Sequence, residues 1–182
     1  MVRTKEHIYG LPDLPPKHAT AVRLGNMQVN FTCRVIQVCR AAGIPVYLEN
    51  PGSSRMFHFP RLVRLLDSAL VVNSDYCQFN TPWRKITKVA AWNSCVLDAL
   101  DKQCSGRNGI CSRSGKHHIV LQGKPPGGSK CWTLIAEPYP RSWAKAAANI
   151  MIQSMQHLTE NRLFVLGFLG EAGSGPKQTT AT

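Results

Sequence analysis

Gly43-Ile-Pro-Val-Tyr-Leu-Glu-Asn-Pro-Gly-Ser-Ser-Arg55 is the stretch on which the reading of this chain turns. The apolar run from Ile44 to Leu48 has the length and β-branched content of a buried strand. It ends abruptly in an acid, an amide and a proline. Open α/β sheets present reacting groups to ligands at the C-terminal ends of their strands. A carboxylate delivered there, ahead of a small-residue loop, makes Glu49 the first candidate for a functional group.

Outward from that strand, the pattern predicts an α/β fold in one domain over residues 25–160, between an irregular, proline-rich segment 1–24 and a polar, disordered tail 171–182. Asn26 is a competent N-cap for a first helix, and Phe31, Val35, Ile36, Val38, Cys39 and Ala42 fall largely along one face of it. Gly43 stops that helix in the manner of a left-handed C-cap glycine. Beyond the loop, 59–66 reads as a second, shorter helix. Two strands follow, 69–73 and 86–92, read as an antiparallel pair joined by a long functional loop. Residues 94–102 suit a short helix, and 140–158 a final one, with Pro140 near its start and several alanines within. Between them, 104–128 is rich in Gly, Ser, Cys, His and Pro, an ordered excursion rather than a sheet element.

Charge narrows the partner. The 182 residues carry 22 Lys and Arg against 10 Asp and Glu, a net +12. A surplus of that size favours a polyanion, DNA ahead of RNA, over an acidic small molecule. The chain opens Met1-Val-Arg-Thr-Lys-Glu-His, charged where a secretory signal needs an apolar core. Leu163-Phe-Val-Leu-Gly-Phe-Leu169 is far shorter than the roughly 20 residues that span a bilayer, so no membrane partner is expected. With seven cysteines, an odd number, a reducing compartment follows, cytoplasm or nucleus.

The order of helix, strand ending in Glu49-Asn50-Pro51, short helix, then a strand pair with a basic loop resembles the second half of a cytosine-5 DNA methyltransferase. In that family the strand ends in Glu-Asn-Val and the preceding helix opens with an Arg-Gly-Asn-like signature; here the helix opens with Arg23-Leu-Gly-Asn26. The family's Gly-Val-Pro-Gln-x-Arg-x-Arg loop is echoed by Phe79-Asn-Thr-Pro-Trp-Arg-Lys-Ile-Thr87, which keeps the proline and a basic residue but not the glutamine or the register of both arginines. Glu-Asn-Pro followed by Pro-x-x-Lys-x-Thr looks closer to the methylase-like proteins of phages and eukaryotic mobile elements. The resemblance covers roughly residues 20–95, with a weaker echo at Glu137-Pro-Tyr-Pro140. It implies a partial Rossmann-like methyltransferase sheet, S-adenosylmethionine as cofactor, and Glu49 as the catalytic acid that protonates or hydrogen-bonds N3 of the target cytosine.

Two parts of the family pattern are missing: the glycine-rich cofactor loop and the Pro-Cys pair that supplies the attacking thiolate. Either an upstream segment completes the domain or those elements are lost, and activity of this chain alone is not expected. Asn50, Ser53, Ser54 and Arg55 are expected to line the cleft of Glu49, where hydroxyls and a guanidinium can contact phosphate or a flipped base. Trp83, Arg84, Lys85 and Thr87, with Lys88 nearby, form a second substrate-binding set, an aromatic among cations. Each has a plain structural alternative: Glu49 as a turn cap or partner of Arg55, the loop as ordinary turn chemistry, Trp83 as a core residue.

The remaining chemistry is in the excursion. Cys104 and Cys111 with His117-His118 stand in a segment too poor in apolar residues to fold by itself. Cys104, Cys111 and His118, completed by Cys77 or Cys95, would make a structural Cys3His zinc site. The spacing lacks a tight Cys-x2-Cys knuckle, and free thiols with an exposed histidine pair are the alternative. A zinc-stabilised, non-enzymatic nucleic-acid-binding module is thus the rival to the methyltransferase reading.

Overall fold

The computed structural model describes residues 2–94 and 96–171, with side chains through residue 160. The first helix, α1, spans Pro16–Ala41. It begins ten residues ahead of the expected N-cap, because the prolines taken as breakers sit where a helix tolerates them: Pro15 is the N-cap residue and Pro16 opens the first turn. So residues 16–24 are helical, not irregular. Asn26 lies mid-helix and has another task. Its Oδ1 accepts from Arg3 Nη2 at 2.9 Å and its Nδ2 donates to the Tyr9 carbonyl at 2.8 Å, stapling the N-terminal segment to α1. Gly43, at φ 69°, terminates the helix, with the Ile44 N–H reaching back to the Cys39 carbonyl.

Strand β1 spans Val46–Pro51, helix α2 Pro60–Leu66, strand β2 Leu70–Asp75 and strand β3 Ile86–Trp92. The sheet order is β1-β3-β2, and both outer strands run antiparallel to β3. The expected pairing of the last two strands is present; β1 adds to the free side of β3, not to β2. The fold is mixed α/β with a small three-stranded antiparallel sheet, from which a Rossmann-like sheet is not established. β1 also differs from the expected fully buried strand: it lies at an edge, half-buried, and runs on through Pro51, so Glu49 and Asn50 are inside it.

Both faces of the sheet are covered. Ala90 and Trp92 of β3 pack with Val29, Cys33, Ile36, Phe57, Phe59 and Leu62 of α1, α2 and the short 3-10 turn Arg55–His58. On the other face Val89 and Ala91 meet Tyr76, Leu97, Leu100, Trp143 and Ile150. The last four residues named bring in the 97–100 turn and helix α4, Arg141–Glu171. Where a helix was expected, residues 96–102 hold only a turn at 98–100, and a four-residue helix, α3, occupies Trp132–Ile135. The excursion contributes one isolated bridge, Ile110 with His117. The expected disordered tail lies, from residue 172, outside the described residues. Among the described residues no helix is long and apolar enough to cross a membrane.

The face of α1 that packs inward is only in part the expected one, which it matches at Ile36 but not at Phe31 or Val38. Val22, Val29, Cys33 and Ile36 are buried, whereas Phe31 and Val38 are each 68% exposed. Ile36→Ala should therefore cost about 3 kcal/mol of stability, as a cavity in a packed core, and Phe31→Ala less than about 0.5 kcal/mol. Urea unfolding of the two variants checks this; equal losses would mean that α1 is rotated.

Candidate metal centre and the Glu49 cavity

Buried Asp75 at the end of β2 organises the junction between the sheet and the excursion. One of its oxygens, Oδ2, accepts from the backbone N–H of Cys104 at 2.7 Å and from Arg84 Nε at 2.9 Å. Its own N–H donates to the Lys102 carbonyl at 2.9 Å. A carboxylate 1% exposed is tolerable only when so satisfied. Residues 102–104 are thereby fastened beside the 3-10 turn Tyr76–Phe79 that immediately follows β2.

That fastening brings Cys104 next to Cys77. The rest of the excursion folds over them: Cys111 N–H donates to the Lys116 carbonyl at 2.8 Å, Gly115 at φ 66° makes the turn, and His118 N–H donates to the Gly109 carbonyl at 2.7 Å. Arg113 clamps the turn down, donating to the Cys77 carbonyl at 2.7 Å and to Asn80 Oδ1 at 2.8 Å. Gly106 cannot carry a side chain, since a Cβ there would lie 1.8 Å from the Ile110 carbonyl oxygen.

The result is a Cys3His cluster of Cys77, Cys104, Cys111 and His118, whose ligand atoms all lie within 4.8 Å of one another. Cys104 Sγ and His118 Nε2 are 3.7 Å apart. Ligands at about 2.0–2.3 Å from a tetrahedral ion are separated by roughly 3.5–3.8 Å, so only a small contraction is required. Cys95, the other candidate for the fourth position, lies outside the described residues. His117 is exposed and takes no part.

The sulfurs are prepared for a cation. Burial opposes ionisation of Cys104, but donors from the Ser112 hydroxyl and backbone, the Gly106 backbone and Cys77 outweigh it and bring the thiol down to about 6. Cys111 is likewise opposed by burial, yet the backbone of Ser114 and Arg113, the Ser114 hydroxyl and His118 bring it down to about 7. Cys77 moves the other way, to about 12, through burial and the neighbouring Cys104 and Cys111. Without a cation the set holds thiolates beside a thiol. Three soft donors and an imidazole can hold a metal ion.

Glu49 is elsewhere, on the α4 face of the sheet. Tyr139, just before α4, donates its hydroxyl to Glu49 Oε2 at 2.6 Å. The Glu49 hydrogen bond, with burial, raises Tyr139 to about 12. A cavity of about 180 Å³ opens here, bounded by Tyr47, Glu49, Val89, Tyr139 and Trp143. Tyr139 and Trp143 stack at 4.9 Å with 13° between their planes. Among the described residues the buried indole N–H of Trp143 has no hydrogen-bond partner, and the buried hydroxyls of Tyr76 and Thr87 have only each other.

The other nominated residues are not gathered around Glu49. Alternation along β1 sends Asn50 to the opposite face, with Ser54 and Arg55 in a separate concavity, while Ser53 is exposed on the loop. Thr87 is fully buried. Arg84 is engaged by Asp75; Lys85 donates to the Ala136 carbonyl at 3.3 Å and lies over the Tyr76 ring. Trp83 is half-buried with its indole N–H enclosed. These basic-loop residues are engaged in structure. Sequence reasoning missed Tyr139, Asp75 as organiser, and Arg113; the Glu137-Pro-Tyr-Pro140 echo was the one signal for Tyr139.

Comparison with known proteins finds no family model, no curated protein and no solved structure that matches this chain.

Two measurements check this geometry. Because Cys104 and Cys111 lose their protons near 6 and 7 while Cys77 retains its own to about 12, metal binding at pH 8 should release on the order of one proton per chain. Calorimetry in buffers of different ionisation heat reads that number; release of about three would mean that the thiols are not pre-ionised. Glu49→Gln should lower the Tyr139 titration from about 12 towards the ordinary tyrosine value of about 10. Ultraviolet titration follows it, and an unmoved transition would break the proposed contact.

Proposed function

We propose that this protein is a zinc-stabilised nucleic-acid-binding relative of cytosine-5 DNA methyltransferases, without methyl transfer by this chain alone. The observation that carries the reading is the Cys3His cluster in a chain with net charge +12. Three thiolates and an imidazole suit zinc above hard cations such as magnesium or calcium, which prefer oxygen. Cys77, Cys104, Cys111 and His118 would hold it, and the ion would supply cohesion to a segment with little apolar surface, worth on the order of 10 kcal/mol in small zinc modules. Among lysines and arginines with described side chains, only Arg84 is ion-paired to an acid. The remaining surplus is available to phosphates, chiefly through electrostatics and counterion release.

The methyltransferase kinship rests on the strand-borne Glu49-Asn50-Pro51 and the element order around it. The cavity at Glu49 favours a base-binding ancestry: a carboxylate at its edge, an aromatic stack in its wall, and enclosed donors close by. For chemistry, however, a thiolate must stand beside that carboxylate. Cys77, Cys104 and Cys111 are engaged in the metal cluster, and Cys33 is buried in the core on the other face of the sheet. No residue here argues for S-adenosylmethionine beyond the family resemblance, and a cofactor-bearing segment would have to come from elsewhere.

Fluorescence anisotropy with duplex and single-stranded DNA tests the reading. Binding should weaken steeply with salt and fall at least tenfold when the zinc is removed by a chelator, while Glu49→Gln leaves affinity within about twofold. Salt-insensitive binding, or affinity unchanged in metal-free protein, would contradict it. Transfer of a labelled methyl group by the chain alone would restore the enzymatic alternative.

A further inference from the structure

The face of the sheet opposite Glu49 carries a second concavity, of about 370 Å³, between α1 and the loop after β1. It continues into a neighbouring hollow of about 510 Å³ that shares Arg3, Gly25 and Arg55 with it. Neither is bounded by an acidic residue. We propose that this concavity is a binding site for a phosphoryl group, separate from both the metal cluster and the Glu49 cavity.

Arg3 lines both hollows. Its guanidinium is fixed in place: Nη2 donates to the Val22 carbonyl at 2.8 Å and to Asn26 Oδ1 at 2.9 Å, and the group lies over the Phe59 ring. Gly25 makes room for it, since a Cβ there would stand 3.1 Å from Nη2. The Arg3 Nε–H is enclosed and has no partner among the described residues. Every acceptor named for Arg3 is neutral, and no acid among the described residues pairs with it. Arg55, on the facing loop, is exposed and without an ion pair among the described residues. Arg3 Nη1 and the Arg55 guanidinium therefore flank one hollow, an arrangement that suits a tetrahedral oxyanion held between two cations. Gln28, Asn50 and Ser54 border the same space and supply neutral donors, while the Thr32 hydroxyl, also on its rim, donates to the Gln28 carbonyl at 3.0 Å. Successive residues of β1, Glu49 and Asn50, thus serve opposite faces with opposite electrostatics.

The phosphoryl group can come from a free nucleotide or polyphosphate, or from a nucleic-acid backbone. Calorimetric titration of the full chain with inorganic pyrophosphate, and anisotropy with a short single-stranded oligonucleotide, separate these sources. Arg55→Ala, at an exposed position that folding does not require, should weaken pyrophosphate about tenfold, whereas Lys145→Ala, which removes the same charge from exposed α4, should leave it unchanged. Arg3→Gln should act in the same direction as Arg55→Ala, with a circular-dichroism spectrum confirming the fold. If Arg55→Ala weakens the oligonucleotide as well, the site takes backbone phosphate. If it weakens pyrophosphate alone, the ligand is a free phosphate ester, and the site stands even where nucleic-acid binding fails. No pyrophosphate binding, or equal losses in Arg55→Ala and Lys145→Ala, would overturn the proposal.

Discussion

The carboxylate of Asp75 is the constraint on which the architecture depends. It lies buried at the end of β2, where an unsatisfied charge would be prohibitive, and it is held by the Arg84 guanidinium and the Cys104 amide. Those two donors come from two separate downstream segments, one from the connection between β2 and β3 and one from the start of the excursion. Satisfying one side chain therefore closes two loops together. Cys104 arrives beside Cys77 as a consequence, and the remaining ligands need only the short turn around Gly115 to join them.

The sheet positions everything else by its two-residue period. β1 is clamped to β3 over six residue pairs, from Val46 opposite Trp92 to Pro51 opposite Thr87. With that register, Tyr47 and Glu49 face α4, and Leu48 and Asn50 face α1. A slip of one residue would exchange the carboxylate for the amide on each face. The acidic-aromatic cavity and the arginine-flanked hollow are thus two products of one register.

Much of this was legible in the sequence where local chemistry had no competitor. Cysteines and a histidine in a stretch too polar to make a core have few roles, and Cys104, Cys111 and His118 stood out for that reason, with the fourth ligand open between Cys77 and Cys95. The β3 bounds were legible because Ile86–Trp92 is apolar and β-branched at one end and closed by Asn93 at the other. The start of α1 was not, since a proline in the first turn and a proline that breaks a helix have the same local sequence. Its inward face was legible at Ile36 but not beyond, since Phe31, Val35 and Val38 compete with Val22 and Val29 for the core and only tertiary packing decides. The separation of Glu49 from Asn50 depended on β1 continuing to Pro51, which a proline discourages except at an edge. Contacts such as Tyr139 with Glu49, 90 residues apart, have no local signature.

The central claim is that four side chains from two distant parts of the chain, Cys77 and the excursion, enclose one metal ion. Zinc K-edge X-ray absorption of the protein as purified reads that shell directly. Three sulfur neighbours at about 2.3 Å and one nitrogen at about 2.0 Å are expected. A shell dominated by oxygen, or one with two sulfurs or fewer, would contradict it.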